Sequence, residues 1–306
     1  MLEAVIVIVG LALFEIISSI DNAIVNAHVL KTVPENYRKF FLVWGLLFAV
    51  VLVRGVLPFV IVRLANMDMT LAETIKLSFS DAKTMEEALH HSKPLLLLGG
   101  GTYLFFVFLA WLFLEEKKYA FLVEHFVHRQ AAWFYAVAAV FVTAVTYYAV
   151  QINPWMALAA QIGVTAFFVT EGFRKTAEEG EERLHGPNLS AWSKLLYLEV
   201  LDASFSIDGV IGAFAFTMSV PLILVGNGLG ALVVREFTVR GLDLVAKFAY
   251  LKNGAMYSIG VLGAIMVIES FDHELPFWVA PMTTVLLLVV FLGMSVRELR
   301  TAPKAT

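Results

Sequence analysis

The sequence predicts an all-α, polytopic membrane protein of about nine transmembrane helices, with two inverted three-helix repeats. Three observations carry that expectation. Hydrophobic residues make up 59% of the 306 residues and the mean hydropathy is +0.79, above the apolar share of an ordinary soluble domain. Apolar runs recur at the ~20 residues that a helix needs to cross a bilayer. Two of those runs carry nearly the same polar message, Glu15-Ile-Ile-Ser-Ser-Ile-Asp21-Asn22 and Asp202-Ala-Ser-Phe-Ser-Ile-Asp208-Gly209.

In chain order the spans are expected at roughly 2–30, 40–64, 94–114, 132–150, 155–172, 193–218, 221–250, 254–270 and 277–296. Only helices or closed barrels satisfy their backbone in lipid, and these runs have helical lengths. The first run is not a signal peptide. It lacks a basic leading segment and carries Glu15 and Asp21 where such a peptide is apolar. Between 66 and 93, Thr70-Leu-Ala-Glu73 reads as a capping box, and Ile75, Phe79, Ala82 and Leu89 recur at helical spacing. That segment predicts two short amphipathic helices at the outer interface. The charged stretch 174–183 reads as a solvated cytoplasmic loop. The whole chain, 1–306, forms one transmembrane domain: repeat one about 1–114, linking helices about 132–172, repeat two about 193–270, and a final helix about 277–296.

Lys and Arg set the orientation. With the N-terminus outside and the C-terminus cytoplasmic, the inner connections and tail hold 15 of the 22 basic residues. The outer side holds four, Arg63, Lys76, Lys83 and Lys93. The net charge of −4 is too small to argue for a nucleic acid or other macromolecular partner. The absence of cysteine excludes a disulfide framework and thiolate ligation of soft metals.

The repeat extends beyond the acidic motif. Gly45 precedes Arg54 by nine residues, Gly226 precedes Arg235 by nine, and Val53-Arg54 matches Val234-Arg235. Each motif helix is thus followed by a helix with a mid-span arginine. Five spans separate the starts of the two units, so the second enters from the opposite face, as in many secondary transporters.

Carboxylates inside a membrane are costly and functional by default. On an ideal helix Glu15, Ser18, Ser19, Asn22 and Asn26 share one face, while Asp21 falls about 120° from Glu15, as Asp208 does from Asp202. Either each helix shows two polar faces to different neighbours, or it unwinds around Ser-Ile-Asp so that its acids converge. Glu15, Asp21, Asn22, Asp202 and Asp208 are the candidate ligands, with Ser18, Ser19, Asn26, Ser206 and Asn227 lining the path. All are oxygen donors, which suit hard divalent ions. Arg54 and Arg235 read as charge partners rather than substrate contacts. Four carboxylates exceed the charge of one divalent ion, which gives a route to proton exchange.

Other polar groups have blander readings. Glu236, Arg240, Asp243 and Lys247 form an intrahelical ion ladder. His125 and His128 beside Glu124, and the pair His90-His91, are weak metal motifs. Gly99-Gly100-Gly101 and Gly226-Asn-Gly-Leu-Gly230 are small-residue faces for close helix packing.

Glu15 through Asn22-Ala23 resembles the first-helix motif of TerC-type integral membrane proteins, and Ser206-Ile-Asp208-Gly209 with the arginine helices resembles the second half of that family. The whole chain is similar to the prokaryotic branch beside TerC in the LysE-type transporter superfamily, over residues 1 to about 270. The resemblance implies a multi-pass protein of a prokaryotic plasma (inner) membrane that exports a cation, Mn2+ foremost; the oxygen-only donor set keeps Ca2+ or Mg2+ as alternatives. It implicates Glu15, Asp21, Asn22, Asp202 and Asp208, and it departs where Gly209 stands in place of a second Asn. The expected function is therefore a non-enzymatic divalent-cation transporter, proton-coupled, needing no resident cofactor and partnered by the bilayer, the cation and protons. The alternatives are an intramembrane aspartyl hydrolase, for which no Gly-x-Gly-Asp segment occurs, and a non-transporting scaffold or stress-resistance component.

Overall fold

The structure is a computed structural model that describes residues 2–19, 23–24, 26, 29–30, 33–45, 48, 54–66, 68–80, 88–117, 119, 124–184, 190–236, 238 and 248–301. Among the described residues all regular structure is helical. In chain order the helices are α1 (Leu2–Ser18), α2 (Glu35–Phe40), α3 (Leu57–Ala65), α4 (Leu71–Ser78), α5 (Lys93–Leu114), α6 (Glu124–His128), α7 (Phe134–Ile152), α8 (Pro154–Leu184), α9 (Ala191–Ala213), α10 (Val220–Glu236), α11 (Leu251–Glu269) and α12 (Val279–Thr301). A π-helical turn, Phe41–Gly45, follows α2, and a second over 54–56 leads into α3. Such widened turns re-aim the side chains they carry and recur at functional sites. Here they carry Gly45 and Arg54.

Local chemistry sets several boundaries. Thr70 opens α4 by accepting from the Glu73 amide at 3.3 Å, while Glu73 accepts from the Thr70 amide at 2.7 Å. This is the capping box the sequence announced. Those bonds hold the Glu73 carboxyl below its usual range. Ser190 caps α9 through the Ser193 amide at 3.1 Å. Asn153 accepts from the Trp155 amide at 2.9 Å and Pro154 starts α8, which breaks the run into two antiparallel-capable helices.

On α4 the polar Thr74 and Ser78 are buried and bond to their own helix carbonyls, while Leu71, Ile75 and Phe79 face outward. An apolar row turned away from the protein is what a helix at a lipid interface requires.

The centre of the bundle is α5, packed against α11 on one side and α8 on the other. A Cβ at Gly101 would fall 2.9 Å from the Gly263 carbonyl, and one at Gly99 would fall 3.0 Å from the Ala159 carbonyl. The triple glycine therefore lets two neighbouring backbones approach at once. The apolar window of α5 is 67% buried, whereas that of α7 is 22% buried, which puts α7 on the flank. Its outward surface has aromatic residues towards both ends, Trp133 and Tyr135 at one, Tyr147 and Tyr148 at the other. Fifteen residues from Trp133 to Tyr148 span about 22 Å of helix, most of the roughly 30 Å of a bilayer's apolar core.

Among the described residues five helices are long and apolar enough to cross a membrane: Lys93–Leu114, Ala131–Ile152, Pro154–Thr176, Leu251–Glu269 and Val279–Arg300. They coincide with expected spans three, four, five, eight and nine. The other four expected spans contain α1, α3, α9 and α10; Glu15 lies on α1, Asp202 and Asp208 on α9 and Arg235 on α10, while Arg54 sits on the widened turn before α3. One reading is corrected. The stretch 174–183 is not a loop; α8 continues unbroken to Leu184 and holds Arg174 half-buried in the bundle. The apolar run ends near 172, but nothing in the following residues breaks a helix. The ladder residues Arg240, Asp243 and Lys247 lie outside the described residues.

Candidate cation site within the helix bundle

The site is built where α1 meets α9 and α10. On α10, Gly226 receives Leu11, and a Cβ at Gly230 would fall 2.6 Å from the Cβ of Glu15 and 2.7 Å from the Ala12 carbonyl. The small residues make a track along which α1 lies. Opposite, a Cβ at Gly209 of α9 would fall 2.7 Å from Glu15 Oε2. Glycine at both places admits the Glu15 side chain between two helices.

Glu15 is fully buried. Its Oε1 accepts three hydrogen bonds, from Arg54 Nε at 2.9 Å, Arg54 Nη2 at 2.6 Å and Ser19 Oγ at 2.8 Å. Its Oε2 has no hydrogen-bond partner among the described residues. Arg54 also reaches the other half of the chain, with Nη1 3.8 Å from Asp202 Oδ2. A buried charge is tolerable only when paired in this way. Asn227 is fully buried between Gly226 and Gly228; its Nδ2 donates to the Gly209 carbonyl at 3.5 Å, and its Oδ1 has no partner among the described residues. Two buried side chains that reach Gly209 thus each carry an oxygen without a partner among the described residues.

Asp208 belongs to a second centre. Its Oδ2 accepts from Arg174 Nη2 at 2.8 Å and its Oδ1 from the Tyr103 hydroxyl at 2.5 Å. Tyr103 also lies 3.2 Å from the Thr170 hydroxyl. Helix α9 runs regularly through Asp202–Gly209, so this copy shows two polar faces to different neighbours: Asp202 towards Arg54, Asp208 towards α5 and α8. The two aspartates of α9 do not converge.

The remaining candidates are dispersed. Ser18 donates to the Glu15 carbonyl at 3.3 Å, and Ser206 to the Asp202 carbonyl at 2.7 Å. Asn26 is buried, with its Oδ1 lacking a partner among the described residues. Arg235 lies within electrostatic reach of Asp202 and Glu199. Asp21 and Asn22 lie outside the described residues. Among the described residues no three His, Asp or Glu side chains gather to hold a metal. Glu124 is fully buried and accepts from Asn253 Nδ2 at 3.2 Å. His128 pairs instead with the Phe113 carbonyl at 3.1 Å.

Sequence reasoning missed Arg174, Tyr103 and Glu199. Glu199 had a signal, since it lies three residues before Asp202 on the same helical face. Arg174 had one too, in the uninterrupted register that continues from the apolar run.

A cavity of about 280 Å³ opens beside the start of α1 and is lined by Glu3, Lys93, Phe214, Phe216 and Glu269, among others. Its wall residue Phe216 packs on Phe14 at 5.7 Å between ring centroids.

A family model described as "Protein of unknown function (DUF475)" matches residues 20–302. The chain belongs to the DUF475 family. The matched region contains Arg54, Asp202, Asp208, Asn227 and Arg235, while Glu15, Ser18 and Ser19 precede it. This DUF475 chain is also similar to the "Uncharacterized membrane protein YceF" of Bacillus subtilis (strain 168), at 33% identity over 85 residues. That match takes in 28% of this chain and 33% of the relative, so the chain spans about a third of that protein. No solved structure matches the chain.

Proposed function

We propose that this membrane protein is a divalent-cation transporter that exports Mn2+ or a similarly hard ion across a prokaryotic plasma membrane. The observation that carries the reading is the pair of buried oxygen acceptors, Glu15 Oε2 and Asn227 Oδ1, both without a donor among the described residues and both on side chains that reach Gly209. Burying such atoms unsatisfied costs about 1–3 kcal/mol each, which an oxygen-ligated cation would recover. Oxygen donors of this kind suit Mn2+, Ca2+ and Mg2+. The resemblance to TerC-type proteins favours Mn2+ among these, and Asp21 and Asn22 would complete the donor set.

The reading includes nine spans, an outside N-terminus and two inverted repeats. Packing of α1 on α10, and of Gly45 against Glu199 of α9, supports the repeats, because each motif helix then meets the arginine helix of the other unit. The excess of basic residues in the inner connections supports the direction. No catalytic step is assigned to the chain.

Arg54 and Arg174 already neutralise Glu15 and Asp208, so an arriving ion must compete with them. This same fact favours a second reading, in which the carboxylates are ionic locks of a non-transporting scaffold. A proteoliposome flux assay over Mn2+, Ca2+ and Mg2+ separates the two. The transporter should carry at least one of these ions and lose that flux in Glu15→Gln and Asp202→Asn variants that still fold. Folded wild-type protein carrying none of them would leave the scaffold.

A further inference from the structure

We infer that Arg174 is a tethered stand-in for the transported cation: it holds Asp208 when no ion is bound and passes to Glu171 when an ion takes Asp208. The inference rests on the transport reading. It starts from the neighbours of Arg174. One side of the guanidinium is bonded to Asp208 at 2.8 Å, and the other, through Nη1, already lies 3.5 Å from Glu171 Oε2. Glu171 is one helical turn away on the same helix, so the transfer needs side-chain rotation and no backbone motion.

Burial is graded along this row of charges. Side-chain exposure falls from 59% at Lys175 to 19% at Glu171, 14% at Arg174 and 6% at Asp208. Lys175 lies 3.7 Å from Glu171 Oε1 and can release it towards solvent when the arginine arrives. The gradient makes Asp208 the deep position and Glu171 the shallow one. A buried pair that loses one partner is strongly destabilised, so Arg174 leaves Asp208 only as another cation arrives. Tyr103 fixes the other Asp208 oxygen at 2.5 Å and keeps the carboxylate in place during the exchange. Such an arrangement keeps Arg174 paired in both states and makes ion entry and arginine departure one event.

The test uses the full chain, with Mn2+ binding measured in detergent by calorimetry and Mn2+ flux in liposomes. Removing an internal competitor tightens binding, so Arg174→Gln should raise apparent Mn2+ affinity roughly fivefold or more, the scale of a site coupling. Glu171→Gln removes the receiving carboxylate and should lower affinity by a similar factor. Both should slow flux. A merely structural arginine gives the opposite sign in the first variant and no change in the second. If Arg174→Gln does not fold, Arg174→Lys, which keeps charge but loses the planar fork, should raise affinity by less, and Glu171→Gln still decides. Wild-type Mn2+ flux with affinities unmoved in these variants overturns the exchange alone. Wild-type protein that neither binds nor carries Mn2+, Ca2+ or Mg2+ overturns the transport reading and the exchange with it.

Discussion

Arg54 stands between Glu15 and Asp202, 2.6 Å from an oxygen of the first and 3.8 Å from an oxygen of the second. It thereby ties the two acidic motifs, 187 residues apart in sequence, to one guanidinium. Removing one partner of a buried pair leaves the other charge uncompensated, at about 3–5 kcal/mol. Arg54→Gln should therefore lower the unfolding midpoint in detergent sharply. Adding Glu15→Gln should restore part of the loss, because residues sharing one interaction are not additive. A double variant that loses the sum of both single effects would remove the lock.

Glycine 209 is needed for a different reason. An added Cβ would press on Glu15 Oε2 at 2.7 Å, and that side chain is held by three donors on its other oxygen. It cannot retreat without breaking them. Gly209→Ala should cost about 1–3 kcal/mol, the usual scale of overpacking, and displace Arg54. Gly228→Ala is the comparison, since none of the described residues lies within 4 Å of its added Cβ. There the better helix propensity of alanine should make the change neutral or mildly stabilising. Thermal unfolding of the two variants side by side checks the contrast.

Lys117, just past the end of α5, makes a pH-dependent contact. Its ammonium donates to the carbonyls of Trp111 and Glu115 and lies 4.5 Å from the Trp111 ring centroid. Burial lowers its pKa to about 8, with Lys252 adding to the effect and Glu115 opposing it. An unfolded lysine keeps its proton to about pH 10.4. Between these values the unfolded chain binds the extra proton, so stability rises with pH from about 8 towards 10. Lys117→Met should flatten that part of the Tm profile. Amine labelling of Lys117 should also begin near pH 8, well before that of an exposed lysine.

How much of this was legible in the sequence divides along a physical line. The helices that read easily, α5, α7, α8, α11 and α12, are apolar throughout, and hydropathy alone finds them. The helices carrying the acidic motifs are found by the charges themselves, since Glu15, Asp202 and Asp208 stand out within otherwise apolar runs. Mid-span charge marks Arg54 as a charge partner without saying of which carboxylate, and the structure pairs it with Glu15. The pairing of Arg174 with Asp208 was not, because charge density beyond 173 reads as solvent exposure, while α8 in fact carries the guanidinium back against α9. Periodicity gave the 120° offset between Asp202 and Asp208 but left two geometries open. A regular α9 settles that copy, and only tertiary structure names the two sets of neighbours.

Asn227 tests whether polarity at the crossing serves folding or a ligand. Its amide nitrogen makes one long bond, 3.5 Å, to the Gly209 carbonyl, and its oxygen has no partner among the described residues. Replacing a poorly satisfied buried polar group by an apolar one of similar shape is near neutral or stabilising. Asn227→Leu should therefore unfold at or above the wild-type temperature. The same substitution removes an oxygen donor, so stabilisation by added Mn2+, which follows from binding to the native state alone, should shrink or vanish. Folding and ligation move in opposite directions in this variant, which separates them in one experiment. A variant that is less stable yet keeps the full Mn2+-dependent shift would place Asn227 in the packing of α10 against α9 and take it out of the site.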